Sequence, residues 1–202
     1  MSLWRAGLPL VLASRSAPRR AMLEAAGIPV EVSIPDVDER AVEAAAGPRA
    51  PVEAAALLAR EKARAVARHM PRRLVVGADQ TLALGARRFD KPRDRTAARN
   101  QLMTLAGKTH HLHSAVALAR DGEILFEGTD TACLTMRKLS ESFLDSYMDA
   151  VGSAVLDSVG AYQLEKLGIH LFERIEGDHF TILGLPLFRL LEFLRRQGCL
   201  AT

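Results

Sequence analysis

Three short stretches of this chain hold side chains suited to a polyanion. "LASRSAPRRAMLEAAG" (residues 12–27) sets Ser14, Ser16 and Arg19 between an apolar run and a helix-forming segment. A helix start offers unpaired backbone N–H groups and roughly half a positive charge, so it attracts phosphate without any side chain. Hydroxyls add donors there, and a guanidinium can fork onto two phosphate oxygens. The same residue types also make an ordinary N-capped helix with solvated arginines, and local chemistry does not separate the two. No GxxxxGK[ST] follows, so the segment is not a P-loop.

The second and third stretches bring carboxylates and lysines. Asp36, Asp38 and Glu39 crowd the loop "DVDE", and Asp79 follows the apolar run Leu74–Ala78. A carboxylate just beyond the carboxyl end of a strand lies where α/β folds place ligand crevices. It can orient a water, take its proton, or join a second carboxylate in holding a cation such as Mg²⁺. A turn or a helix cap is the plainer use of the same residue. Lys62 and Lys91 supply point charges for phosphates. Lys62 lies in an alanine-rich helix and, read locally, faces solvent; Lys91, in "DKP", is held extended by the proline after it.

The elements that must position these residues alternate in type. "LPLVLA" (8–13) has the pattern of a strand buried on both faces. A helix follows from about Pro18 to Ala26, with Ser16 as N-cap and Gly27 as its stop. "IPVEVSIP" reads as a second strand, Val52 to about His69 as a helix, and "RLVVGADQTLAL" as a strand. "DRTAARNQLMTLAG" is helical, "THHLHSAVALAR" and "EGTDTACLTMRKL" are long strands, and "DGE" (121–123) is a turn. "SESFLDSYMDAVG" is a helix capped by Ser140 or Ser142, and a last helix runs from near Pro186 to Gln197. The expected fold class is therefore α/β with a mixed central sheet flanked by helices. No composition break marks a boundary, which predicts one domain over 1–202 with two lobes around a cleft.

Composition narrows the partners. The 202 residues carry a net charge of +3, with 49% hydrophobic residues, which is the balance of an ordinary globular protein. A mildly basic surface suits an anionic ligand without implying nucleic acid. Nucleic-acid binders interleave aromatic platforms with basic residues, and aromatic residues here are only 5%. Cys133 and Cys199 belong to no CxxC pair, which predicts a reducing compartment and neither disulfide framework nor zinc site. The apolar patch near the N-terminus spans six residues, too few for a signal peptide or a membrane span. A cytoplasmic protein with no membrane partner is the expectation. His111 and His113 share a strand face as metal ligands might, but no third ligand of matching type lies nearby.

Taken in order, these segments resemble the Maf family of nucleoside triphosphate pyrophosphatases nearly end to end. "SRSAPR" is similar to the family's opening S-x-S-P-x-R turn, Asp38-Glu39 to its acidic pair, and "LAREKA" to its lysine-bearing helix. "GAD" (77–79), Lys91-Pro92, "LAGKTH", "GAYQLEKLG" and "GLPL" resemble its later motifs. Ala17, Pro18, Asp90 and Ala106 depart from the common pattern. The resemblance implies cleavage between the α and β phosphates, giving a monophosphate and pyrophosphate. It implies Asp79, Glu39, Lys91 and Lys62 as catalytic residues, and Ser14, Ser16 and Arg19 as substrate-binding ones. It also implies a divalent cation, Mg²⁺ or Mn²⁺, on Glu39 and Asp79, and leaves room for a homodimer.

Pro18, Gln80 and Glu165 occupy the positions that separate substrate subgroups. Asp79-Gln80 and "YQLE" are similar to the subgroup acting on 7-methyl-GTP, whereas a dTTP/UTP-type member carries D-T and a terminal glutamine. A carboxylate such as that of Glu165 accepts from the N1–H and amine of guanine together. The competing reading is a non-catalytic nucleotide-binding regulator of cell division. A pure binder, however, has no use for an acidic pair beside its cations.

Overall fold

The computed structural model describes residues 2–202. In chain order the strands are β1 Leu10–Ala13, β2 Val30–Val32, β3 Val75–Leu84, β4 Arg87–Phe89, β5 Thr109–Arg120, β6 Glu123–Met136 and β7 Phe172–Glu176. The helices are α1 Ala17–Ala25, α2 Glu39–Ala46, α3 Pro51–Ala67, α4 Arg95–Leu105, α5 Glu141–Val151, α6 His179–Ile182 and α7 Leu187–Arg196. Strand adjacency runs β2-β1-β3-β5-β6-β7, with β4 alongside β3. β1 pairs in parallel with β2 and β3, while β3–β4 and β6–β7 are antiparallel. The fold is α/β with a mixed sheet. Its residues fall into two compact units: 1–80, 113–130 and 179–202 form the first, and 81–112 with 131–178 form the second.

In the first unit β1 is buried along its whole length, as its unbroken apolar run predicts. One face of the sheet packs Val76, Ala78, Leu10 and Leu12 against Met22 and Leu23 of α1 and Leu187, Leu190 and Leu194 of α7. The other face packs Val11, Ala13 and Val75 against the alanine stripe Ala55, Ala59 and Ala63 of α3. These alanines recur every four residues, one helical face, and small side chains let the helix lie close to the strand.

Gly77 makes that approach tighter still. A Cβ on Gly77 would sit 2.2 Å from the Ala59 carbonyl oxygen and 2.6 Å from the Ala63 nitrogen. No side chain fits between β3 and α3 at this level. The contact fixes the height of α3 along β3, and thereby which residues one step further along can meet.

The second unit has its own core, in which Leu102, Leu105, Leu134, Met136 and Leu144 are buried. Fully buried His110 meets Tyr162 there through a 2.7 Å bond between Nε2 and the phenolic oxygen. The Tyr162 ring stands edge-on to Phe172 at 4.8 Å. His110 Nδ1 is buried with no hydrogen-bond partner. Burial, with His111 nearby, lowers its pKa from 6.5 to about 4, so the ring is neutral. Burial likewise raises the Tyr162 phenol.

Several elements differ from the sequence reading. β6 is one continuous strand through Glu123–Met136, joined to β5 by Asp121 and Gly122, both at positive φ. That is the conformation a two-residue hairpin turn requires. β2 shrinks to three residues, and the short elements β4, β7 and α6 carry too little periodicity to be seen in sequence.

Candidate active site

Asp79 and Lys62 meet because of the Gly77 contact. Asp79 lies two residues beyond Gly77 on the same strand face, and Lys62 directly precedes Ala63 on α3. Lys62 Nζ lies 2.6 Å from Asp79 Oδ1 and 2.7 Å from Glu39 Oε1. Lys62 and Asp79 are buried, at 8% and 9% exposure, whereas the Glu39 side chain is half exposed. One ammonium thus bridges a buried carboxylate and a solvent-facing one. The solvent-facing position read for Lys62 does not hold, because the alanine stripe beside it turns that part of α3 onto the sheet.

Asp79 stands within β3, which runs on to Leu84, and not past the strand's end. Glu39 is the first residue of α2, whose N-cap is Asp38; the Asp38 side chain accepts from the Ala41 N–H at 3.0 Å. Of the acidic loop, Asp38 is committed to a cap and Glu39 to the lysine.

The opening turn is built as an N-cap and more. Ser16 accepts from the Arg19 N–H at the start of α1, and buried Ser14 accepts from the Ser16 N–H at 3.2 Å. Pro18 lies in the first turn of α1, half-buried. The Arg19 guanidinium donates from Nε to the Gly184 carbonyl at 2.8 Å, and from Nη1 to the Ala78 carbonyl at 2.7 Å and Ser14 Oγ at 3.3 Å.

Burial raises the Asp79 pKa above the usual carboxylate range; the charges of Lys62 and Arg19 oppose the rise and Glu39 reinforces it. Burial lowers that of Arg19, against the pull of Asp79 and Glu39. A carboxylate whose pKa is raised in this way is, once ionised, a stronger base than an ordinary aspartate.

Gln80 follows Asp79 and so points to the opposite sheet face. Its Nε2 donates to Ser114 Oγ, Thr181 O and Ile182 O at 2.9–3.0 Å. Those bonds take up the amide nitrogen and leave the side chain its oxygen as acceptor. Lys91 and Glu165 are exposed residues of the second unit. The structure therefore brings together Ser14, Ser16, Arg19, Glu39, Lys62 and Asp79 in the first unit, with Gln80 on the other face of the same strand.

Sequence reasoning missed Gly184, Ala78 and Ser114. Gly184 and Ala78 act through backbone carbonyls and Ser114 as a small hydroxyl, so none of the three carries a chemical signature by type. The signal for Gly184 was its place in "GLPL".

The donor set for a cation is two carboxylates, with Lys62 engaging one oxygen of each. Among the described residues no group of three or more His, Cys, Asp or Glu side chains is arranged to hold a metal. Two hard oxygen donors fit Mg²⁺ or Mn²⁺ of the kind that keeps most of its waters and gains further oxygens from phosphate.

The family model described as Maf-like protein matches residues 9–197. The chain belongs to the Maf family. It is 56% identical over 202 residues to a protein of Rhodopseudomonas palustris (strain ATCC BAA-98 / CGA009) named nucleoside triphosphate pyrophosphatase, covering all of both chains. It is 50% identical over 193 residues to one of Brucella abortus biovar 1 (strain 9-941) named 7-methyl-GTP pyrophosphatase, covering 95% of this chain and 97% of the other. A solved structure from Mycobacterium abscessus, described as a nucleoside-triphosphatase / dITP/XTP pyrophosphatase, aligns with a TM-score of 0.41 at 16% identity, over 95% of each chain. No helix among the described residues is long and apolar enough to cross a membrane.

Proposed function

We propose that this Maf-family chain hydrolyses the α–β phosphoanhydride of a nucleoside triphosphate, and that its substrate is 7-methyl-GTP. The observation that carries the reaction class is the Asp79–Lys62–Glu39 chain, in which a buried carboxylate, a buried ammonium and a half-exposed carboxylate share one short line of contacts. In the reaction a water oxygen bonds to the α phosphorus and the bond from that phosphorus to the bridging oxygen breaks. Pyrophosphate leaves with the bonding pair, and the monophosphate carries the new oxygen. Asp79 orients the water and takes its proton; Lys62 holds the carboxylate in place and sets positive charge against the anionic transition state. Glu39 and Asp79 would hold the divalent cation, which when bound neutralises phosphate charge.

The resemblance adds Lys91 to the catalytic set and Ser14, Ser16 and Arg19 to the substrate-binding set. The 7-methylguanine assignment rests on Asp79-Gln80, on Glu165 in "YQLE", and on the Brucella relative's name. Glu165 is exposed and acidic, able to accept from N1–H and the exocyclic amine of guanine, and suited to a base made cationic by N7 methylation. A pyrimidine O4 offers it nothing to accept.

The test is to incubate the protein and Mg²⁺ with a panel of canonical and methylated triphosphates, for the wild type and Glu165→Gln. The reading predicts the highest kcat/KM for 7-methyl-GTP and a loss of its advantage over UTP in the variant. An unchanged preference in Glu165→Gln removes the specificity assignment but not the reaction class. Absence of hydrolysis of any triphosphate removes both.

A further inference from the structure

The geometry points to Arg19 as a positioning residue that braces the backbone next to Asp79, and not as a two-pronged clamp on the triphosphate. β1 ends at Ala13, in register with Gly77 of β3. The Leu74 carbonyl accepts from the Val11 N–H, so by strand alternation the Ala78 carbonyl faces the same side, past the point where β1 stops. A strand carbonyl left there needs a donor. Arg19 Nη1 supplies it at 2.7 Å, and its second hydrogen reaches Ser14 Oγ at 3.3 Å.

Nε is also committed, to the Gly184 carbonyl at 2.8 Å. Two of the three guanidinium nitrogens are thus engaged inside the protein. A fork onto two phosphate oxygens uses an adjacent pair of nitrogens, and each such pair here includes a committed one.

Gly184 is shaped for this seat. It has φ +94°, and a Cβ on it would lie 3.2 Å from Nη2 and 3.3 Å from Nε. The guanidinium lies across the glycine where any side chain would stand. Arg19 therefore ties three separated backbone segments together: the turn before α1, the residue preceding Asp79, and the turn between α6 and α7.

The kinetic arm of the test rests on the pyrophosphatase reading; a spectroscopic arm does not. Arg19→Lys keeps a positive charge able to meet a phosphate but cannot satisfy three divergent acceptors. The brace predicts a fall in kcat on the order of a hundredfold, as small misplacements of a reacting group cost. KM and the calorimetric affinity for inorganic pyrophosphate then stay within about twofold. A clamp predicts the reverse, a pyrophosphate affinity lowered as much as kcat/KM, and that result overturns the assignment. In the ¹⁵N spectrum of the free protein, the Arg19 Nε–H signal is expected to exchange slowly and to stay in place when pyrophosphate is added. A fast-exchanging signal, or one protected only by pyrophosphate, contradicts the brace whether or not the protein hydrolyses nucleotides.

Discussion

His110 gives the second unit an acid sensitivity that can be isolated by one substitution. The folded protein keeps its buried ring neutral, with a pKa near 4 against 6.5 for an ordinary histidine. Between those values the unfolded chain binds a proton that the folded chain refuses. Stability from this group is therefore complete above pH 6.5 and lost as the pH falls toward 4. The whole window is worth ~3 kcal/mol, most of it gone by about pH 4.5. His110→Phe removes the titration but leaves the Tyr162 hydroxyl buried without its 2.7 Å partner, a cost of about 1–3 kcal/mol at neutral pH. The variant should thus be the less stable protein at neutral pH, and the two stabilities should converge or cross at about pH 5. Urea titrations of both proteins across this range measure it. A difference that stays constant with pH would refute the neutral buried histidine.

Other consequences concern the first unit. Gly77→Ala drives a methyl into the α3 backbone, so it should destabilise the protein by ~3 kcal/mol or more in urea melts. Its loss of turnover should exceed what the unfolded fraction explains, because the Lys62–Asp79 contact depends on that approach. Asp79→Asn should lower kcat by about a thousandfold or more while nucleotide binding, followed by calorimetry, survives; wild-type rates would end the role given to Asp79. The raised pKa of Asp79 places the acid limb of the kcat/KM profile above the usual carboxylate range, with activity rising as the base deprotonates. In Asp79→Asn, any residual activity should lack that limb.

Much of the fold was legible because long periodic segments declare themselves. The apolar run of β1, the Ser16 cap of α1 and the Ser140 cap of α5 stand where their residue types place them. Lys62 was legible as a residue but not as a buried one. Alanines look alike on every face of a helix, and only the packing of Gly77 selects which face meets the sheet. Asp79 and Gln80 are adjacent in sequence, yet strand alternation sends them to opposite faces and gives Gln80 three internal acceptors. Arg19 reads in sequence as a phosphate ligand, whereas its two backbone acceptors, Ala78 and Gly184, have no side chain that advertises them. The extent of β6 depends on pairing across a hairpin, information spread beyond any local window.

The phosphorus that water attacks decides which anhydride bond is cut. Wild-type protein with Mg²⁺ and 7-methyl-GTP in ¹⁸O-labelled water, followed by mass spectrometry of the products, tests this directly. Attack at the α phosphorus predicts one heavy oxygen in 7-methyl-GMP and unlabelled pyrophosphate. Label in pyrophosphate, or products that are a diphosphate and orthophosphate, would contradict it.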